Sequence, residues 1–361
     1  MFAPTEYLRW ARRYYGQTRY DLATSGMPTV PLDDGLEAER AAPADPAAAE
    51  ARLRAMIARY NDVPAGEVLP ALGTTHALWL ACAAVLSHGD EVVVEDPVYE
   101  PLVRIPESLG ARAVSFRREA AAGYALDAGA VARAMTPRTR LVIVSNLHNP
   151  TGVRARDEDL REVARIAAAA GAHLLVDEVY APFDALVDDR GVFAGSARKL
   201  GENVIAASSL TKCFGLGPDR IGWVLAPPGV IAHAEDAVIG SVGLLPYAHA
   251  RAAIGRMVVL PALADRSRRL LAGKRERVAA WVAARGLTWS APEAGLFGLV
   301  TVPGRGDLTP AIEAAAAAAA GRVLVGPGKF FGVEGAFRVG WSLPAEDLDE
   351  ALARLRAALN L

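Results

Sequence analysis

The sequence predicts an α/β protein built on a mostly parallel sheet covered by helices, followed by a smaller α+β domain. Short apolar runs alternate with helical segments through the middle of the chain, an order that favours α/β architecture. These runs are nearly all apolar instead of alternating, which is typical of strands buried on both faces. After about residue 263 the pattern changes, which indicates a second domain.

The alternation defines the elements in chain order. Strands are predicted at residues 91–95, 113–116, 141–145, 172–177, 203–207 and 221–225, and helices at about residues 75–87, 99–109 and 157–170. Beyond them we expect a charged helix over residues 265–285, strands at 298–302, 323–325 and 337–341, and a last helix at 347–359. The amphipathic stretch at residues 6–13 is expected to pack on this second domain or on a partner subunit. The chain is therefore divided into an N-terminal segment joining the small domain (1–35), a large domain (36–260) and a small C-terminal domain (261–361).

The composition disfavours several classes of function. A net charge of -2 leaves no basic excess for nucleic acid or for an anionic membrane surface. Charge, glycine or proline interrupts each apolar stretch before it reaches the length of a membrane span, and we expect no secretory signal. The two cysteines, Cys82 and Cys213, fit a reduced cytoplasmic compartment better than a disulfide framework. The spacing of Cys and His predicts no metal site.

Lys212 carries the strongest indication of chemistry. It follows a small and apolar run at residues 204–207, and a glycine-rich turn leads from it to Arg220. The lysine is therefore expected on a turn at the end of a buried strand. Burial lowers the pKa of the amine and makes it a nucleophile that can form a Schiff base with an aldehyde, while the arginine offers a cation to a phosphate. A surface loop with a stray lysine is the alternative.

The segment around Lys212 resembles the cofactor lysine of class I/II aminotransferases, the fold-type I enzymes that use pyridoxal 5'-phosphate (PLP). These enzymes typically show Ser-x-Ser/Thr-Lys, a glycine-rich stretch and then arginine at this spacing, which Ser209, Lys212 and Arg220 match. The resemblance covers the chain from about residue 22 to its C-terminus. It implies the PLP-dependent transferase fold type I, a homodimer, a catalytic Lys212, and cofactor contacts from Ser209 and Arg220.

Another cofactor contact is predicted where a helix begins. Residues 73–78 open a helix, whose N-terminus offers free N–H groups and a positive dipole end to a phosphate. The resemblance assigns Thr74, Thr75 and His76 to the cofactor there, with an ordinary threonine N-cap as the alternative. It also implies that Tyr99 stacks on the pyridine ring, with a core tyrosine at a strand–helix corner as the alternative.

Two more motifs follow predicted strands. Residues 146–152 form a turn sequence that resembles the family's Asn-Pro-Thr-Gly motif, which implies that Asn149 bonds the phenolic oxygen of the cofactor. Asp177 ends an apolar strand, where a carboxylate is unfavourable unless it is paired. The resemblance pairs Asp177 with the ring nitrogen, which keeps the ring able to accept electrons, and Tyr180 with the phenolic oxygen. A helix-capping aspartate is the alternative.

Substrate contacts are implied near the two ends of the chain. Arg338 lies in a predicted strand, in the context where the family places the arginine that binds the substrate α-carboxylate by two parallel hydrogen bonds. Gly26 lies in a segment that resembles the one crossing the substrate mouth, where glycine permits close backbone approach. One family feature is missing, because residues 38–46 hold no tyrosine that could reach the cofactor phosphate of a partner subunit.

Together these residues imply a PLP-dependent aminotransferase that moves the amino group of an α-amino acid to a 2-oxo acid through a Lys212 Schiff base. A PLP-dependent lyase or decarboxylase on the same scaffold is the main alternative, because the same residues serve those reactions. A ligand-sensing regulator would need a DNA-binding module, and no basic helix-turn-helix pattern is visible. Intact Lys212, Asp177 and Arg338 argue against a catalytically inactive relative. We expect neither nucleic acid nor a membrane as a partner.

Overall fold

The computed structural model describes residues 3–31, 33, 35–183, 188, 191–318 and 322–361. Its helices are α1 (Glu6–Tyr14), α2 (Leu36–Arg40), α3 (Pro46–Asn61), α4 (Gly73–Val85), α5 (Pro101–Ser108), α6 (Ala128–Ala134), α7 (Asp157–Ala169), α8 (Thr211–Phe214), α9 (Pro228–Ser241), α10 (Tyr247–Val258), α11 (Leu260–Leu271), α12 (Lys274–Ala283), α13 (Thr309–Ala317) and α14 (Ala345–Leu359). Its strands are β1 (Tyr20–Asp21), β2 (Val68–Leu72), β3 (Glu91–Asp96), β4 (Arg112–Arg117), β5 (Thr139–Ser145), β6 (His173–Asp177), β7 (Val204–Ser209), β8 (Ile221–Leu225), β9 (Thr288–Trp289), β10 (Phe297–Thr301), β11 (Val323–Leu324), β12 (Gly326–Pro327) and β13 (Ala336–Gly340).

A large, mostly parallel sheet forms the frame of the protein. Across the described residues it holds seven strands in the order β2-β8-β7-β6-β5-β3-β4. β8 pairs antiparallel with both of its neighbours, and the remaining pairs are parallel. Every residue of β7 and β8 is buried, as are nearly all residues of β3, β5 and β6. The mostly parallel, buried sheet predicted from the apolar runs is confirmed.

Helices cover both faces of the large sheet, because successive side chains of a strand point to opposite sides. Val92 and Val94 of β3 pack in a core cluster with side chains of α4 and α9. Val93 lies between them in sequence and packs in a separate cluster with side chains of α6 and α7. Each strand is thus held between two layers of helices, and the predicted α/β class is confirmed.

The C-terminal part contains a second sheet and shares a core with the N-terminal segment. Within the described ranges its strands are ordered β12-β13-β10-β9, and all of their pairings are antiparallel. β1 pairs in parallel with β11, which ties the N-terminal segment to this part by backbone hydrogen bonds. Tyr7 and Trp10 of α1 lie in the same core cluster as Trp281 and Trp341. The domain boundaries near residues 35 and 260 stay predictions.

Two of the differences from the sequence-based expectations have a clear physical reason. The single charged helix expected over residues 265–285 is wrong, because α11 ends at Leu271 and α12 begins at Lys274. Gly273 between them has a φ of 71°, a left-handed conformation that interrupts an α-helix. Strand β2 is missing from the expectations, since its short sequence contains Pro70. It lies at the edge of the sheet, where proline is tolerated.

None of the helices in the described part of the chain combines the length and the apolar character needed to cross a membrane.

We predict that Gly222→Ala destabilises the protein. A Cβ at Gly222 would lie 2.6 Å from the carbonyl carbon of Gly73, at the start of α4, so β8 and α4 would have to separate. The free energy of unfolding should fall by about 1–3 kcal/mol, the usual effect of overpacking, as measured by urea denaturation.

Gly229→Ala is the matched control for this substitution. A Cβ there meets no atom within 4 Å, so its stability should stay within about 0.5 kcal/mol of the unmutated protein. Equal stabilities for the two variants would contradict the close approach of β8 and α4.

Candidate active site

A cavity of about 220 Å³ lies at the carboxyl edge of the large sheet. β3, β5, β6 and β7 run parallel, so their carboxyl ends meet at one edge, which is where ligands gather in open α/β sheets. The cavity wall includes the predicted residues Thr74, Thr75, Tyr99, Asn149, Asp177, Tyr180, Lys212 and Arg220. The fold therefore brings together side chains from six separate segments of the sequence.

Lys212 places a buried amine on this cavity. It stands in the single turn of α8, directly after β7, instead of the open turn expected from the sequence. Burial lowers the pKa of the amine to about 8, with smaller contributions in the same direction from the positive charges of Arg338 and Arg220. Its Nζ donates a hydrogen bond of 3.5 Å to the Ser25 hydroxyl. A sizeable fraction of the amine is therefore unprotonated and nucleophilic near neutral pH.

Asp177 places a buried carboxyl group on the same cavity, at the end of β6. Burial raises its pKa to about 7, against the opposing effect of the Val179 N–H, which donates to its Oδ1 at 3.2 Å. A carboxyl group with this pKa lies between its neutral and charged forms at neutral pH. A cationic partner brought into the cavity would lower the pKa and fix the charged form.

One end of the cavity presents groups that suit an anion. Thr74 and Thr75 lie in the first turn of α4, where backbone N–H groups have no partner in the helix. The Thr74 hydroxyl donates to the Ser209 hydroxyl at 2.7 Å, and the Thr211 N–H donates to the same oxygen at 3.2 Å. The buried hydroxyl of Thr211 has no hydrogen-bond partner among the described residues. These hydroxyls and N–H groups form a set of donors for an anion.

Arg220 is held close to this donor set by two glycines. Gly73 has a φ of 79°, and a Cβ there would collide with the guanidinium of Arg220. Gly222 lets β8 pass directly beside Gly73. The Arg220 Nη2 donates to the Leu72 carbonyl at 3.5 Å, at the start of α4. Because Gly73 and Gly222 carry no side chains, there is space for the guanidinium of Arg220 beside the N-terminus of α4.

His76 lies behind the helix N-terminus rather than on the cavity wall. Its Nδ1 accepts a hydrogen bond of 3.1 Å from the Leu72 N–H. Burial lowers the pKa of its imidazole, followed by the effect of nearby His249. This geometry makes His76 a support for the start of α4, and its predicted contact with the cofactor stays a prediction.

The segment around Gly26 crosses directly over Lys212. The Met27 N–H donates to the Lys212 carbonyl at 2.9 Å, and a Cβ at Gly26 would lie 3.5 Å from Cδ of the lysine. The Tyr180 hydroxyl donates to the Ser25 hydroxyl at 2.8 Å. Ser25 therefore accepts hydrogen bonds from Tyr180 and from the lysine amine, which fixes the amine beside the tyrosine.

Arg338 is a buried cation beside the cavity. Its Nη1 donates to the Asn149 Oδ1 at 2.8 Å, and its Nη2 donates to the Tyr7 hydroxyl at 2.6 Å and to the Ala23 carbonyl at 2.8 Å. All three acceptors are neutral, and no carboxylate among the described residues forms an ion pair with this arginine. The fully buried Arg118, by contrast, pairs with Glu95 at 2.9 Å.

Burial of a cation among neutral acceptors is unfavourable, so the surroundings of Arg338 suit an anionic partner. The guanidinium also lies over aromatic rings, with its central carbon 5.0 Å from the ring centre of Phe331 and 5.1 Å from that of Phe297. The two rings lie against the guanidinium, whose planar fork of N–H donors is the shape that matches the two oxygens of a carboxylate.

Sequence reasoning misses several residues of the cavity wall, namely Tyr7, Leu8, Ala11, Ser25, Leu78, Val179 and Thr211. Ser25 and Thr211 could have been found, because each adjoins a residue that the motifs select. The residues of α1 give no such signal, since only the packing of α1 on the C-terminal part brings Tyr7 to the cavity.

A helix-covered, mostly parallel sheet with a buried amine, a buried carboxyl group and an anion site at its carboxyl edge defines a fold-type I PLP-dependent enzyme. The family described as "Aminotransferase class I and II" matches residues 40–355 of the chain. The chain belongs to this family. The fold, the PLP cofactor and the aminotransferase activity expected from the Lys212 motif are therefore confirmed.

Named relatives support the same conclusion. The chain is 29% identical to capreomycidine synthase of Streptomyces vinaceus, with 97% of this chain and 92% of the relative covered. It is 33% identical to a probable N-succinyldiaminopimelate aminotransferase of Mycobacterium tuberculosis, over 64% of this chain and 57% of that one. It is 29% identical to the arginine–pyruvate transaminase of Pseudomonas aeruginosa, over 81% of this chain and 75% of that one. The names of the last two relatives and the matching family fit aminotransferase activity better than the lyase or decarboxylase alternative.

Solved structures show the same fold. A PLP-dependent aminotransferase of Streptococcus suis superimposes with a TM-score of 0.87 at 22% identity, covering 99% of this chain and 98% of that one. A variant of the aspartate aminotransferase of Thermus thermophilus superimposes with a TM-score of 0.82 at 24% identity, covering 99% and 100% of the two chains.

Proposed function

We propose that Lys212, Asp177 and Arg338 are the residues with which this aminotransferase converts an α-amino acid to its 2-oxo acid. One observation carries the assignment. The Lys212 amine, with a pKa lowered to about 8, and the Asp177 carboxyl, with a pKa raised to about 7, lie on one cavity. Perturbed groups of opposite charge type on a shared cavity are typical of catalytic centres.

The side chains fit PLP from end to end. The Lys212 amine suits the aldehyde carbon, and the Asp177 carboxylate suits the ring nitrogen. The unpartnered Thr211 hydroxyl, the Thr74 and Ser209 hydroxyls and the N-terminus of α4 supply hydrogen bonds for the phosphate, and Arg220 supplies a positive charge. Thr75 also lies at this end, Tyr99 is assigned to the ring face, and Asn149 and Tyr180 to the phenolic oxygen. This donor set accounts for each polar group of the cofactor.

When bound, PLP supplies an electron sink for the bonds at the substrate α-carbon. The chain's residues provide positioning and proton transfer. Arg338 binds the α-carboxylate and so fixes the α-carbon beside Lys212. Once the substrate amine has replaced the Lys212 amine at the cofactor, the freed Nζ would accept the α-proton, for which an amine with a pKa near 8 is well matched. Gly26 leaves room above the lysine for the substrate.

The finer setting of the enzyme also belongs to the proposal. A homodimer is supported by an exposed apolar stretch at the end of α9, where Ile239, Val242 and Leu244 are 67%, 42% and 77% exposed. A cytoplasmic location is supported by Cys82 and Cys213, which are free thiols buried in the core. An α-amino acid and a 2-oxo acid are the substrates.

Borohydride reduction should fix PLP to Lys212, because reduction traps the bond between the cofactor aldehyde and the amine that holds it. Peptide mass spectrometry of the reduced protein locates the label. Lys212→Ala should lose turnover by orders of magnitude but keep part of its PLP through the anion site. The exposed Lys199→Ala is the control and should keep both label and turnover. A label on Lys199, Lys274 or Lys329 would contradict the assignment.

Arg338→Lys and Arg338→Ala should weaken substrate binding without altering the absorbance of bound PLP. A hydrogen bond to a charged group contributes roughly 1.5–3 kcal/mol, so the apparent affinity for the amino acid should fall at least about tenfold. Lysine lacks the planar pair of N–H donors of arginine, so Arg338→Lys should not restore the affinity. The measurement compares an amino acid with its decarboxylated amine, and Arg338→Ala should lose most of the preference for the acid. An unchanged preference would place the carboxylate elsewhere.

A further inference from the structure

Helix α1 brings a tyrosine hydroxyl into contact with the carboxylate-binding arginine. The Tyr7 hydroxyl accepts a hydrogen bond of 2.6 Å from the Arg338 Nη2, although 331 positions separate the two residues. The start of α1 is held in place by Glu100, whose Oε2 accepts from the Tyr7 N–H at 2.8 Å. Tyr7 lines the same cavity as Lys212 and Asn149. Its hydroxyl therefore lies at the edge of the guanidinium, facing the site.

The hydrogen-bond directions show that the Tyr7 proton is available. The Tyr15 hydroxyl has one proton, which it donates to the Ala23 carbonyl at 3.0 Å. With Tyr15 donating to Ala23, the 2.6 Å contact between the two hydroxyls uses the proton of Tyr7, with Tyr15 as acceptor. Tyr7 thus accepts from Arg338 and donates to a neutral oxygen. Its O–H can turn to a better acceptor without leaving Arg338.

We propose that Tyr7 is a second carboxylate-binding residue, whose hydroxyl donates to the substrate α-carboxylate while that group is bound by Arg338. The proposal rests on the assignment of Arg338 made above. A carboxylate oxygen at the guanidinium lies next to the Tyr7 oxygen, because the two are held by the same group. A charged acceptor forms a hydrogen bond about twice as strong as a neutral one, so the O–H turns from Tyr15 to the carboxylate.

Aromatic contacts hold the Tyr7 side chain in place beside the cavity. Buried Tyr7 packs its ring 5.0 Å from Phe331 and 6.0 Å from Tyr99 between ring centres, so its hydroxyl has a fixed position. A hydroxyl fixed in this way loses little conformational entropy when it binds the substrate. Helix α1 is therefore a substrate-binding element as well as part of the core.

Tyr7→Phe tests the proposal, because it removes only the hydroxyl oxygen and keeps the ring contacts. The holoenzyme is first screened with the standard L-amino acids by PLP absorbance, and the fastest substrate is chosen. We expect its KM to rise about tenfold or more with kcat within about threefold, the pattern of lost uniform binding. The deaminated carboxylic acid, used as a competitive inhibitor, should lose affinity equally. Its neutral primary amide should bind as before.

Two matched variants separate this role from a structural one. Tyr14→Phe makes the same change on the same helix, at a side chain that lies beside Glu313 and away from the cavity. It should leave the KM of the substrate and the inhibition constants of the acid and the amide unchanged. Tyr15→Phe removes the hydroxyl that contacts Tyr7 at 2.6 Å and the Arg338 Nη2 at 3.5 Å but leaves the Tyr7 hydroxyl in place, so KM should rise much less than in Tyr7→Phe. A rise equal to that of Tyr7→Phe would mean that the hydroxyl pair merely holds α1, and would overturn the proposal.

The remaining outcomes are equally distinct. An unchanged or lower KM in Tyr7→Phe, or equal losses for the acid and the amide, would show that Tyr7 does not bind the carboxylate. If Arg338→Lys weakens binding of the acid inhibitor and Tyr7→Phe does not, the assignment of Arg338 stands and only the proposed role of Tyr7 fails. If neither variant weakens it, the assignment of Arg338 fails as well.

Discussion

The structure depends on the burial of ionisable side chains along one edge of a parallel sheet. Asp177 ends β6 and Lys212 follows the neighbouring strand β7, and burial shifts the pKa of each side chain in the direction that favours its neutral form. Such groups are unfavourable in an empty cavity. Their charged forms are stabilised when ligand groups of complementary charge bind beside them. Part of the free energy of ligand binding therefore comes from the way the fold buries these side chains. At the same edge of the sheet, Gly73 and Gly222 allow Arg220 to approach the start of α4.

A second consequence is that the site needs both ends of the chain. Arg338 comes from β13 and Tyr7 from α1, and the pairing of β1 with β11 and a common core hold these elements together. The Asn149 Oδ1 connects them to the large sheet through its bond from Arg338. Direct hydrogen bonds therefore join the N-terminal segment, the large sheet and the C-terminal strands beside the cavity.

Much of this arrangement could be predicted from the sequence, since the runs that become β3, β5, β6, β7 and β8 are apolar because both of their faces are covered. Lys212, Asn149 and Asp177 were recognisable because each follows such a run within a motif. The break between α11 and α12 at Gly273 could not be predicted, because a single glycine in a charged segment does not reveal its backbone φ angle.

Tyr7 illustrates the limit more clearly. Its neighbours in sequence are those of any amphipathic helix, and its role depends on a partner far away in the chain. The same holds for the lack of an anionic partner at Arg338, which the sequence does not reveal because acidic residues are common throughout the chain. Burial and pairing are properties of the folded molecule, and they decide which of many arginines is suited to a substrate carboxylate.

The most direct test of the account concerns Asp177, because the buried carboxylate is assigned to the ring nitrogen of PLP. The measurement is the rate of the amino-acid half-reaction in Asp177→Ala, together with the dissociation constant of PLP. The account predicts a fall in rate of at least about a hundredfold, typical of a lost electrostatic contribution to a transition state, with a much smaller loss of PLP affinity. A rate close to that of the unmutated enzyme would show that another group holds the ring nitrogen and would contradict the account.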